Sequence, residues 1–299
     1  MKIGKLVALT TSALAVALTL LTFGASEAKA ATCTVPGSHA TIQAAVNDPA
    51  CSNINVAPGV YDEQVKVTRS NVTITGSGQD ITSIRPTAVN ANSASLFSGA
   101  PIAAIVLVDG ATGVTVEALT VDGGLAAPNA CAPTYVGIFY RAASGAISDT
   151  HVTNIFNPAV AGCQGFLGIF VQSGNSGPNK NSNVVIDGNT VDNYGKNGIT
   201  ANEPGTFVTI SNNIVTGRGQ LALGDAAQNG VQLANGAHGK VTNNNISNNY
   251  YTPPDFVACG ILYFSAGGGV GQTKTNTFFN NEQNVCTAGA GPSVNSPFN

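Results

Sequence analysis

Residues 183–220 read NVVIDGNTVDNYGKNGITANEPGTFVTISNNIVTGRGQ, and residues 227–251 take up the phrase again as AQNGVQLANGAHGKVTNNNISNNYY. Each phrase holds a short alternating apolar run, an Asn-rich turn, a second short run, a Gly-rich corner, and then Gly followed by Ile or Val. Alternation with period two predicts short strands, and the Gly and Asn clusters predict the turns between them. Self-similarity at this length marks a stacked-repeat architecture, in which each unit buries its apolar face only against its neighbours.

The beat extends in both directions. Gly137-Ile138, Gly168-Ile169, Gly198-Ile199, Gly230-Val231 and Gly260-Ile261 are spaced by 31, 30, 32 and 30 residues. A second register precedes them at Val114/Val116, Ile147, Val185-Ile186, Val208/Ile210 and Val241. The count predicts about seven layers, a stack roughly 35–40 Å long at ~4.8 Å per strand. Nearer the start, Ile42, Ala45 and Val46 fall at helical spacing before Pro49, which predicts a short helix capping the first layer. The Asn corners align as His151, Asn189, Asn213, Asn245 and Asn276, an expected inward ladder with a scaffolding role.

Lys2 and Lys5, an apolar run over residues 6–23 and the ending Ala28-Lys29-Ala30 predict a secretory signal peptide over residues 1–30. A membrane anchor is the competing reading, but the run is broken by Thr and Ser and falls short of the ~20 residues of a span. Removing the segment takes away three lysines and one glutamate and moves the net charge from −3 to −5. The nine remaining Lys and Arg are scattered, which excludes the clustered basic surface of a nucleic-acid partner. All six cysteines follow the signal, without a C-x-x-C, so an exported chain predicts disulfides. Sequence-adjacent pairing (Cys33–Cys51, Cys131–Cys163, Cys259–Cys286) closes loops about one repeat long. The expected organisation is a β-helix over residues 31–286 and a Gly/Pro/Ser-rich flexible tail over 287–299.

The segments TIQAAV, INVAPGVYDEQVKV and NVTITGSG, followed by xVxIxxNxVxxxxxxGI repeats, resemble the right-handed parallel β-helix, or pectate-lyase-like, superfamily. The resemblance covers Ala40 to about Cys286 and extends to secreted bacterial β-helix repeat proteins. It implies an all-β solenoid. It implies no single reaction, because that superfamily includes lyases, hydrolases, esterases, epimerases and non-catalytic surface proteins. The vWiDH-like and RxPxxR-like segments of pectate lyases are missing, as is any Trp. So are the later Gln, Asp and Arg motifs of pectin methylesterases and the NTD…DD…GHG…RIK set of polygalacturonases. No G-x-S-x-G elbow fits a serine hydrolase.

With Ile or Val of the beat pointing inward, the next positions point outward. One outward row reads Phe139, Phe170, Thr200, Gln232, Leu262, and the next Arg141, Gln172, Asn202, Ala234, Phe264. Aromatic faces beside amide and guanidinium groups suit a sugar chain, so Phe139, Arg141, Phe170, Gln172, Thr200, Asn202 and Gln232 are the expected binding residues for an extracellular polysaccharide. A covering loop over the aromatics is the bland alternative. Two stretches stand outside the repeat, residues 88–103 and the insertion 173–181. Such loops gather on one face of a solenoid.

Glu117, Asp149 and Asp187 align as a column of acids, which would suit Ca2+, a hard cation taking carboxylate oxygens, or would raise one acid's pKa. Spaced surface acids are the alternative. Asp192, Lys196 and Glu203 (with Tyr194) in one layer, and Arg218 and Asp225 in the next, form a second group. There a Lys or Arg near an acid would abstract the C5 proton of a uronate, giving elimination or epimerisation. His151 is a weaker base candidate. The expected function is a secreted β-helix protein that binds, and in its fullest form also processes, a polysaccharide along a lateral face. The alternatives are a non-catalytic surface protein and a uronate lyase or epimerase.

Overall fold

The computed structural model describes residues 1, 31–124, 126–157, 163–174, 181–220, 226–251, 258–267 and 275–288. Residues 2–30, expected as a signal peptide, lie outside these, as do Asp225, most of the 173–181 insertion and the expected tail beyond Ala288. The chain forms a parallel β-helix. Each turn contributes one strand to each of three parallel sheets, for example Ser182–Asp187, Thr190–Asp192 and Asn197–Asn202. The first sheet runs from Ala31–Val35 to His238–Thr242, the second from Gly59–Tyr61 to Thr277–Phe279, and the third from Val65–Val67 to Gln283–Ala288. The last strand passes the expected domain end by two residues. Among the described residues no helix is long and apolar enough to cross a membrane.

Three columns of β-branched residues fill the interior. Val116, Ile147, Ile186, Ile210 and Val241 pair along the first sheet. Val121, Val152, Val191, Val215 and Ile246 pair along the second, and Ile138, Ile169, Ile199, Val231 and Ile261 along the third. All are fully buried, each contributing roughly 1.5–3 kcal/mol relative to exposure. Val185, beside this register, points outward instead.

The glycine of the Gly-Ile/Val beat has a steric cause. A Cβ on Gly168 would lie 2.6 Å from the Gly198 carbonyl oxygen and 2.7 Å from Val191 Cγ1. The same close approach recurs at Gly137, Gly198, Gly230 and Gly260. The missing side chain lets the inward Val or Ile of the second sheet rest against the third-sheet backbone.

At the first corner the strand ends, one residue turns left-handed, and the next points inward. The left-handed residues are Ala118, Asp149, Gly188, Asn212 and Asn243. The inward ladder is Thr150, Asn189, Asn213, Asn244 and Asn276. Asn189 Nδ2 donates to Asn213 Oδ1, Asn213 to Asn244 and Asn244 to Asn276, each at 2.9 Å. Asn189 Oδ1 accepts from the Thr150 amide at 3.0 Å. The aligned corner set therefore needs correction at two places: His151 and Asn245 each sit one residue past the ladder and open the following strand. Each rung satisfies backbone that the corner leaves unpaired.

The helix is Ile42–Asn47, capped by the Thr41 hydroxyl and burying Ile42, Ala45 and Val46. The Glu63 carboxylate accepts from the amides of Ile42 and Gln43 at 2.9 and 2.8 Å, fixing the cap on the first turn. The three disulfides are Cys33–Cys51, Cys131–Cys163 and Cys259–Cys286, and each joins neighbouring turns. Gly168→Ala is expected to lower the unfolding free energy by about 1–3 kcal/mol, the cost of overpacking a close-packed interior. Denaturant titration against Thr209→Ala, on the outer face, checks this; equal midpoints would show that the glycine row is dispensable.

Candidate functional site

The outward rows on the third sheet pair in the expected order: Phe139, Phe170, Thr200, Gln232, Leu262, and beside it Arg141, Gln172, Asn202, Ala234, Phe264. The rows are not uniformly open. Phe139 and Phe170 stack at 4.8 Å between centroids in a small apolar cluster with Ile102, Ala104 and Leu107, and both are buried. The excursion at residues 88–103 folds back here, with Ser93–Ala94 pairing antiparallel to Pro101–Asp109. Arg141 Nε donates to the Ala94 carbonyl, and its Nη1 to Asp109. Gln172 accepts from the Leu96 amide and donates to Ser95 Oγ. Phe139, Arg141, Phe170 and Gln172 therefore anchor a loop, which corrects their assignment as an open sugar-binding face. Thr200 is buried as well, bonded by Asn197 Nδ2.

Beyond Thr200 the face opens into a groove of about 820 Å³. Lys196, Asn229, Gln232, Tyr251, Leu262 and Phe264 line it, joined by the amides Gln164, Asn235 and Gln283. Its floor is ordered by a chain of amides. Asn229 Oδ1 accepts from the Cys259 amide, Asn229 Nδ2 donates to Asn197 Oδ1, and Asn197 Nδ2 donates to Gln232 Oε1. That last bond uses the Gln232 carbonyl oxygen, and among the described residues its NH2 makes no hydrogen bond. Leu262 and Phe264 were legible as outward positions; Asn229 was hidden, because it belongs to the inward-reading Asn-Gly of the beat.

Lys196 is the one formally charged group among the described lining residues. Its backbone is pinned on both sides, donating to Phe166 O and accepting from the Asn229 amide. Nζ donates to the Ala227 carbonyl oxygen at 2.8 Å. Burial pulls its pKa down to about 8.

The other expected catalytic residues do not converge on it. Glu203 sits at the left-handed corner past the opposite end of strand Asn197–Asn202, roughly 20 Å away at ~3.3 Å per residue. Its carboxylate meets Asn235 Nδ2 at 3.4 Å, and burial raises its pKa. Arg218 shares the corner of Lys196 but lies over the Phe156 ring and donates to the Tyr194 carbonyl. Asp192 lies on the outer face of the second sheet. The strand length between them, which the pattern of acids and bases does not show, separates the group.

The acid column also needs correction. Glu117 pairs with Ser148 and Ser148 with Asp187, so a hydroxyl lies between the two acids. Asp149 takes the left-handed position equivalent to Gly188, one step off the row. Thr75 donates to Glu117, and Ser211 and Asn212 donate to Asp187. Among the described residues, the one group of three metal-type ligands in mutual reach is Cys33, His39 and Cys51, whose cysteines form a disulfide.

A family match bears on this coil geometry. Residues 104–296 match the family described as "Right handed beta helix region". The chain belongs to that family. Among solved structures it resembles an alginate lyase from Paenibacillus sp. str. FPU-7, with 16% identity over 85% of this chain and 99% of that one, at a TM-score of 0.40. A pectin methylesterase in complex with a hexasaccharide follows at 12% identity and TM-score 0.38, covering 76% of this chain and 62% of that one. Geobacillus virus E2 ORF18 matches at 13% and 0.31, over 82% and 56%. No curated protein matches significantly.

His151, displaced from the ladder, faces out between two carboxylates. Its Nδ1 meets Asp80 at 3.0 Å and its Nε2 meets Asp192 at 3.1 Å, while Thr153 also donates to Asp192. The bond to Asp192, against the opposing effect of burial, pushes the imidazole up to about 9, helped by Asp80. At neutral pH it is a cation with both ring N–H groups engaged, which removes it as a general base. Burial would raise Asp192, but the bonds from His151 and Thr153 override it and hold the carboxyl below its ordinary value. The imidazole's folded pKa lies above its unfolded value of 6.5, so its stabilisation is complete below about 6.5 and lost as pH rises through about 9. Asp192 acts oppositely, losing its contribution as pH falls. Wild type is expected to lose on the order of 1–2 kcal/mol between about pH 6.5 and about pH 9, after solvent screening. His151→Gln should remove that slope, and unchanged slopes in pH-resolved denaturant titrations would count against the bridge.

Proposed function

We propose that this chain is an exported β-helix protein that binds an extracellular polysaccharide in the groove over the C-terminal half of the third sheet. The observation that carries the reading is the groove itself, a concave surface crossing successive turns. Its amides offer donors and acceptors at repeated height, and Leu262, Phe264 and Tyr251 offer apolar surface for sugar C–H faces. Three disulfides fit an oxidising, extracellular or periplasmic setting, in line with the signal-like start. Of the expected binding residues, Gln232 lines the groove, and Asn202 lies in the outward row beside it.

Binding is better supported than cleavage. Glycoside hydrolysis uses two facing carboxylates, and the described lining carries none. Elimination or epimerisation would need an acid near Lys196, and Glu203 stands at the far end of the strand. A non-catalytic surface role is the second reading, favoured by the low charged fraction of 9%.

Titration on arrays of neutral and acidic polymers tests the reading. Gln232→Ala is expected to weaken binding about fivefold, the worth of one net hydrogen bond near 1 kcal/mol. Phe139→Leu, beneath the loop, should leave affinity unchanged. Silence on every polymer, with capture of an envelope component, would favour the surface role instead.

A further inference from the structure

Lys196 is an unusual lysine by its surroundings. Its side chain is half-buried beside the groove, and among the described residues its hydrogen-bond partner is a neutral carbonyl, that of Ala227. The groove it borders leaves room for a ligand. A lysine of this kind is activated as a nucleophile, because the charged form is the one that burial disfavours. The other described lysines differ: Lys66 bridges to Asp109 at 3.5 Å with a half-exposed side chain, and Lys240 is exposed.

We propose that Lys196 is a reactive amine that captures aldehydes, including the open-chain form of reducing sugars, entering the groove. The Nζ lone pair attacks the carbonyl carbon and forms a C–N bond, while a proton passes from nitrogen to the carbonyl oxygen, giving a carbinolamine. Loss of water breaks the C–O bond and leaves an imine. No oxidant or reductant is consumed, and the capture is reversible. Gln232 lines the same groove and offers its amide to a ligand held there.

The electrostatics agree with the geometry. Near pH 7.5, a pKa of about 8 leaves roughly a quarter of the amine uncharged, against roughly a thousandth for an ordinary lysine. Lower intrinsic nucleophilicity offsets part of this, leaving an advantage on the order of tenfold.

The experiment is limited labelling of the folded chain with glyceraldehyde and cyanoborohydride, which reduces the imine to a stable secondary amine, followed by peptide mass mapping. Lys196 should label about tenfold faster than Lys66 and Lys240, with a rate–pH midpoint near 8. The preference should vanish in urea, and Lys196→Arg should lose the adduct. Equal labelling of the three lysines in the folded state, a preference that survives in urea, or a rate still climbing at pH near 10 would overturn the proposal. Only an aldehyde probe is needed, so failure here leaves polysaccharide binding standing, and failure on the glycan array leaves the amine chemistry standing.

Discussion

The close approach of backbone to backbone along the row Gly137, Gly168, Gly198, Gly230 and Gly260 is the constraint on which the coil depends. Each glycine faces the carbonyl of the residue stacked below it at a distance that no Cβ tolerates. The inward column of the second sheet, Val152, Val191, Val215, Ile246 and Phe278, packs into the space so left. A side chain there would push two sheets apart, and every later turn would inherit the displacement. Sheet pairing, the Asn ladder and the outward rows all follow from a repeat whose turns superpose.

That constraint also explains what could be read from the chain. Side-chain direction on the third sheet was legible because Gly-Ile/Val is written into five turns and fixes register to the residue. The first corner was less so. In Asn243-Asn244-Asn245 one Asn turns left-handed, one points in and one opens the next strand, and nothing in the letters separates them. In Ser148-Asp149-Thr150-His151 the inward place goes to Thr, so an Asn-seeking alignment slips by one. A slip of one reverses a side chain, and it moved both Asp149 and His151. Asp80 was invisible for a different reason. It lies before the beat begins, and only the folded coil brings it to His151 across turns.

Exposure is the property that alternation cannot supply. The same outward row is sealed under residues 88–103 at Phe139 and Phe170 and open at Gln232 and Leu262. The irregular segment therefore divides one regular surface into a second small core and a groove. The stacked pair Phe139 and Phe170 lies beneath the loop because it is worth burying, while Gln232, Leu262 and Phe264 are left where solvent or a ligand reaches them.

The disulfides fall at particular places in the stack. Cys33–Cys51 joins the first pair of strands in the first sheet, and Cys259–Cys286 joins the last pair in the third. A solenoid holds each turn only by its neighbours, so the outermost turns, with one neighbour each, are where such a molecule begins to fray. One covalent tie lies in the first sheet at the start of the described stack and one in the third sheet at its end. Fraying of those strand pairs then has to stretch against a covalent bond, so the bonds act where the stack has least noncovalent support.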